Sequence, residues 1–211
     1  MELIYKDNKP GLFEAHLKWA GPIKGKVLDL RCGTGEFAAG FKKAGWEVFG
    51  VDTDPQAVNH ATRVINARLG NFLRLPYPDR IFDLVTLRQA FHALENRGEV
   101  LREIRRVLKP SGRLILSQPV PFNDQDAVAF KAIHGPLALT SVELIEELGK
   151  FAFSVLKKQF MTLREAVHPA IGSAVVHADE AYRRSHHVEG RDGLIFEDRN
   201  VMVLLAQPRP N

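Results

Sequence analysis

Three carboxylate and imidazole positions stand beside a glycine-rich turn and could together do chemistry on a charged, nucleotide-sized ligand. The run Val27-Leu28-Asp29-Leu30-Arg31-Cys32-Gly33-Thr34-Gly35 passes from an apolar, strand-like segment through an acid into that turn. A helical pattern follows over residues 36–44. A strand entering a helix through a tight glycine turn makes a crevice at the carboxyl edge of a parallel sheet, and glycines let the backbone approach a ligand that a Cβ would push away. Asp52 closes a second apolar run, residues 46–51, where an acceptor-only carboxylate suits a ribose diol. His92 follows a third run, residues 82–87, and is the candidate general base, because imidazole takes a proton near neutral pH. A histidine that merely starts a helix would look the same.

The glycine turn alone admits two ligands. Gly33-Thr34-Gly35-Glu36-Phe37-Ala38 also satisfies the dinucleotide fingerprint G-x-G-x-x-G/A. Asp29 argues against that reading, since an acid before the glycines would face an amine rather than a pyrophosphate. Asp54 reads as a helix cap before Pro55, and Asp79 and Asp83 as turn and strand-start residues. Cys32 reads as a small packing residue rather than a nucleophile, for no histidine or asparagine partner is placed by the sequence.

The elements that must position these residues alternate. A helix is expected over residues 11–20, with Leu12, Phe13 and Leu17 on one face. Strands are expected over residues 26–30, 46–51, 67–70, 82–87 and 113–117, separated by helices over 36–44, 54–65 and 99–108. Gly45 is the expected stop of the second helix. This order predicts an α/β chain with a doubly wound, mostly parallel Rossmann-like sheet. Residues 119–140 show no clear strand. Ser141-Val142-Glu143-Leu144 opens a helix with a capping-box-like start. Two further strands are expected over 153–164 and 201–207, the last antiparallel, giving seven in all. Residues 165–199 between them read as a helical insertion, with a helix over 170–184, of the kind that forms lids.

One domain of 211 residues is expected. Its parts are an N-terminal helix or lid (1–25), a ligand-binding core (26–118) and an acceptor-side region (119–211). A single cysteine excludes an internal disulfide and a cysteine-rich zinc site. The histidines at 168, 177, 186 and 187 match no compact ligand spacing, so no metal is expected. No window approaches the ~18 apolar residues of a membrane span, and no signal pattern opens the chain, so a cytoplasmic protein is expected. The net charge of +4 permits an anionic partner without demanding one; nucleic acid is not the expected partner. Monomer and homodimer both remain open.

From about Val27 to Ser117 the chain resembles the class I S-adenosylmethionine-dependent methyltransferases. Four pieces carry the resemblance, in order: Val27 to Gly35, Val48 to Pro55, Leu75-Pro76-Tyr77-Pro78-Asp79-Arg80-Ile81-Phe82-Asp83, and Leu101 to Leu116. The branch it is most similar to is the small-molecule group related to quinone-biosynthesis C-methyltransferases. The resemblance implies S-adenosyl-L-methionine as cofactor and a small-molecule methyl acceptor. It implies that Asp29, Gly33 and Gly35, with Arg31 and Cys32 in the same turn, hold the methionine end. Asp52 would take the ribose hydroxyls and Thr53 would lie along the adenosine. Asn71 would accept from the adenine amino group, the Phe72 amide would bond a ring nitrogen, and Arg88 and Gln89 would lie beside the transferring methyl.

Arg31 departs from the family, which has glycine there. A strained backbone at that position would make arginine costly; otherwise its guanidinium could meet the cofactor carboxylate. Three rivals stay open beside the small-molecule enzyme: an RNA methyltransferase, favoured by the basic balance; a methyltransferase-like partner protein without activity, kept alive by Arg31 and Asn71; and, ranked last, a nicotinamide-dependent oxidoreductase.

Overall fold

The computed structural model describes residues 10–22, 24–123, 126–166, 186–191 and 194–210. In chain order the elements are α1 (Pro10–Ala20), β1 (Lys26–Leu30), α2 (Glu36–Lys43), β2 (Glu47–Asp52), α3 (Pro55–Ala61), β3 (Asn66–Leu69), β4 (Phe82–Arg88), α4 (Arg97–Val107), β5 (Leu108–Pro119), α5 (Ala127–His134), α6 (Ser141–Lys150), β6 (Phe153–Ala166), β7 (Glu189–Arg191) and β8 (Leu194–Pro208). A single 3-10 turn, Phe91–Ala93, follows β4.

Seven strands form the path β3-β2-β1-β4-β5-β8-β6, and the three-residue β7 pairs with β8. The first five are parallel, while β8 runs antiparallel to both β5 and β6. This is the expected doubly wound sheet. The order reverses between β1 and β4, which opens a crevice at the carboxyl ends of those strands.

Strand alternation sorts the core into two layers. One face packs Val100, Leu101 and Ile104 of α4 and Leu144 and Leu148 of α6. The other packs Leu12 and Trp19 of α1, Phe37 and Phe41 of α2 and Val58 of α3. In β1, Leu28 and Leu30 belong to the first layer and Val27 to the second, so Asp29 falls on the α1–α2 side of the sheet.

Local signals act as their chemistry demands. Gly45 has φ +89° and closes α2 in a Schellman motif: its amide donates to Lys42 and that of Trp46 to Phe41. Trp46 also meets Phe41 edge-on at 6.2 Å. Asp54 caps α3 by accepting from the Gln56 amide. Thr140 and Glu143 form a capping box on α6, one residue earlier than the Ser141 start expected.

The expected insertion over 165–199 is corrected at both ends. Glu165 and Ala166 still pair with Glu197 and Phe196, so β6 and β8 run into it as one long hairpin ladder. Residues 189–191 add a short strand within the expected insertion, beyond the helix expected over 170–184. The physical reason is that the ladder satisfies backbone groups of polar residues as readily as apolar ones, and such residues carry no strand signal. The helix expected over 170–184 lies outside the described residues. So do His168 and His177. The segment 119–140 contains α5, which its sequence did not announce.

Candidate active site

The glycine turn is built on the end of β1 and held down by β2. The amides of Arg31 and Cys32 both donate to the Val51 carbonyl, at 2.8 and 3.2 Å. Asp52, only 6% exposed, accepts from the Gly33 amide at 2.8 Å and from the Asp54 amide at 3.1 Å. One carboxylate therefore joins the first turn to the second.

Gly33 and Gly35 both adopt positive φ, +55° and +84°. They differ in surroundings. A Cβ at Gly35 would press on Ala61, Val64 and Ile65 at 3.1–3.2 Å, whereas one at Gly33 would meet nothing within 4 Å. Gly35 is thus required by helix packing, and Gly33 borders open space.

Arg31 has φ +58°, so the backbone there is left-handed and the position favours glycine. The strain expected of an arginine in this turn is real, on the order of 1–2 kcal/mol. Its side chain is exposed. Gln89, after β4, is a second left-handed residue at φ +47°, and its amide donates to the Ser117 carbonyl. Strained residues thus flank the crevice on both sides of the strand-order reversal.

Asp29 is 3% exposed and accepts from the Thr86 hydroxyl at 2.7 Å. Burial pushes its carboxyl up to about 6, against the Thr86 bond and the Arg88 charge, and Asp52 adds to the rise. A carboxylate so placed is under-compensated and gains from a ligand cation. Cys32 is 4% exposed, and its Sγ would lie 2.7 Å from a Cβ at Gly50. Burial, then Asp29 and Asp52, raise its thiol to about 12. Its Sγ donates weakly to the Gly33 carbonyl at 3.7 Å, and its amide and carbonyl are both bonded within the turn, to Val51 and Gly35.

Thr53 and Asn71 are exposed, and Phe72 is half-buried against the α4–α6 layer. The Asn71 Oδ1 accepts from the Leu73 amide at 2.8 Å, an Asx turn that uses part of its acceptor capacity. The Arg88 guanidinium lies 4.7 Å over the Phe37 ring, at the start of α2. The main chain of His92 donates to Gln118 Oε1 at 3.1 Å, while its Nδ1 is buried without a hydrogen-bond partner. Burial holds His92 below the usual imidazole range, with Gln118 pulling the other way and Arg31, Arg199 and Arg97 adding to the fall. It is a neutral base at neutral pH.

The structure gathers Asp29, Arg31, Cys32, Gly33, Gly35, Asp52 and Thr53 around one turn, with Arg88, Gln89 and His92 across the reversal; Asn71 and Phe72 stand beyond β3. Sequence reasoning missed Thr86, His16, Gln118 and His134. His16 on α1 is fully buried, its Nδ1 bonded to the Leu12 carbonyl at 2.8 Å and its ring edge-on to Phe37 at 5.1 Å. Its place on the inner face with Leu12 was the available signal.

Comparison with known proteins fits this geometry. Residues 28–116 match the family described as a methyltransferase domain. That segment, which carries the glycine turn and both strand ends around it, is therefore similar to methyltransferase domains. A demethylmenaquinone methyltransferase of Thermotoga maritima is 37% identical over 103 residues, covering 46% of this chain and 45% of that protein. Methyltransferase GfsG of Streptomyces halstedii is 29% identical over 142 residues, covering 63% and 51%. The chain spans about half the length of the curated relatives it matches. Among solved structures, the YcgJ protein of Bacillus subtilis superposes with a TM-score of 0.75 at 19% identity, covering 94% of this chain and 98% of that one. The [4+2]-cyclase SpnF superposes at 0.70 and 18% identity, covering 95% and 81%. These two likenesses concern the fold. Among the described residues, no helix is long and apolar enough to cross a membrane, and no His/Cys/Asp/Glu group could hold a metal ion.

Proposed function

We propose that this methyltransferase fold transfers a methyl group from S-adenosylmethionine to a small organic acceptor. The observation that carries the reading is the closed turn itself: Asp52 bonded to the Gly33 amide, open space before Gly33, and an ionisable carboxylate, Asp29, buried behind it.

That donor set fits the cofactor. Asp29 compensates its ammonium, directly or through water. The Asp52 carboxylate keeps lone pairs beyond the two amides it serves and takes the ribose diol. Thr53, Asn71 and Phe72 border the adenosine end, where half-exposed Leu73 and exposed Leu69 offer apolar surface. When bound, the cofactor supplies an electrophilic methyl on a sulfonium. Arg88 and Gln89 border the reacting end, and His92, uncharged, accepts a proton from an acceptor that must lose one. Holding donor and acceptor in line contributes up to about 7–11 kcal/mol of the barrier reduction, so alignment outweighs the base.

A small acceptor is supported by the names of the demethylmenaquinone methyltransferase relatives. Incubation with methyl-labelled cofactor tests it: label is expected in a small-molecule extract offered as acceptor, and label entering only RNA contradicts the small-molecule reading.

A further inference from the structure

We propose that Asn71 sets the base specificity of this site: it presents an amide donor to the purine edge, so a cofactor with a 6-oxo base is held as well as one with a 6-amino base. The inference rests on the methyl-transfer reading above and names the class of ligand that its cofactor site takes.

Sheet order places the base. The strands β1, β2 and β3 are successive neighbours, about 4.8 Å apart. On the reading above, the ammonium lies at Asp29 on β1 and the ribose at Asp52 on β2. The base then falls at the carboxyl end of β3. Asp52 pairs in register with Leu69, and the Gly70 amide donates to the Asp52 carbonyl at 3.0 Å. Asn71 is the next residue. A Cβ at Gly70 would lie 3.1 Å from Val51 and 3.3 Å from Pro76, so the chain leaves β3 against packed neighbours. Exposed Leu69 and Leu73 flank Asn71 with apolar surface for the faces of a flat ring.

The turn after β3 takes up the acceptors of Asn71. Its Oδ1 accepts from the Leu73 amide at 2.8 Å, and its main-chain carbonyl accepts from the Arg74 amide at 3.2 Å. Only the oxygen of the side-chain amide can meet the Leu73 N–H, so this bond fixes which end of the amide faces the turn. The nitrogen is the other end. Asn71 is exposed, and its Nδ2 has no hydrogen-bond partner among the described residues.

A 6-amino group needs an acceptor, and here it finds the second lone pair of an oxygen already engaged. A 6-oxo group needs a donor, and Nδ2 carries two N–H bonds. A carboxylate at this position would offer no donor and would repel the oxo group. A site built for one hydrogen-bonding pattern rejects the other strongly, whereas an amide that serves both does not.

The full chain is titrated calorimetrically with S-adenosylhomocysteine and with S-inosylhomocysteine, its 6-oxo counterpart. The two dissociation constants should agree within about threefold. Asn71→Asp keeps an oxygen for the Leu73 amide, so the melting transition should hold. It should weaken the inosyl ligand at least about tenfold relative to the adenosyl ligand. Asn71→Ser can also meet the Leu73 amide but carries no amide nitrogen, and it should shift the ratio the same way. A wild-type chain that binds the inosyl ligand at least about tenfold more weakly, or a ratio that neither substitution moves, would overturn the proposal. The first of these outcomes leaves the methyl-transfer reading standing and sinks this inference alone. A folded chain that binds neither ligand would break both.

Discussion

The Asp52 carboxylate accepts a hydrogen bond from the Gly33 amide at 2.8 Å, so the ends of two parallel strands are joined by a single side chain. The same residue proposed to hold the ribose also shapes the turn proposed to hold the methionine end. Binding and local structure are therefore coupled at this position.

Substituting Asp52 separates the two roles by degree. Asp52→Asn keeps one acceptor oxygen, and Asp52→Ala keeps none. Asp52→Ala should cost about 1–3 kcal/mol of stability, because the Gly33 and Asp54 amides lose their partner. Asp52→Asn should cost less and still weaken cofactor binding. Chemical denaturation beside calorimetry checks the pair, and equal stability losses for both substitutions would contradict the assignment.

Arg31→Gly should stabilise the protein. The native φ of +58° strains any residue with a Cβ, and relief is worth on the order of 1 kcal/mol, partly offset by the greater freedom of glycine in the unfolded chain. The side chain is exposed, so little packing is lost. A lower melting temperature for Arg31→Gly would show that the guanidinium makes a stabilising contact that outweighs the strain.

Stability should respond to acid through two opposed groups. His16 is lowered to about 4, chiefly by burial, and His134 to about 3. For such groups the unfolded chain binds protons first, so stability falls as pH drops below the ordinary imidazole value near 6.5. Asp29 is raised to about 6, so the fold binds its proton first. Its stabilising share is complete below about 4 and is lost as pH rises through 6. His16→Gln should therefore flatten the loss of stability between pH 6.5 and 5, by up to about 1.4 kcal/mol per pH unit, and Asp29→Asn should steepen it. Denaturation midpoints at both pH values decide this; unchanged slopes in both variants would contradict the burial of these groups.

Much of the frame was readable from local chemistry. Asp54 before Pro55 and Gly45 after a helical run each specify a backbone hydrogen-bonding pattern within a few residues, and the capping box before α6 was legible to within one residue, Thr140 in place of Ser141. The turn was readable for the same reason, since Asp29, Gly33 and Gly35 lie within seven residues. The acceptor side was not. His134 sits on a helix that its sequence did not announce, and β8 is tied to the end of β5 by the Val120 amide on the Asn200 carbonyl and by Asn200 on Pro121, 79 residues away. Contacts across that separation leave no mark on spacing. Nor did the sequence tell that β6 and β8 pair beyond their apolar stretches, for that ladder is a backbone property.

His92→Gln bears on the base. It keeps a polar side chain and removes the proton acceptor. Turnover should fall about 10²-fold or more with an acceptor that must be deprotonated, while the Michaelis constant for the cofactor holds. Equal loss with an acceptor that carries no such proton would assign His92 to structure.

The central claim is that the turn between Asp29 and Asp52 binds S-adenosylmethionine. Calorimetric titration of the wild-type chain and Asp52→Asn with S-adenosylhomocysteine tests it most directly. Micromolar binding, weakened at least about tenfold in a variant that remains folded, is the predicted result. A folded wild-type protein that binds neither S-adenosylhomocysteine nor S-adenosylmethionine would contradict it.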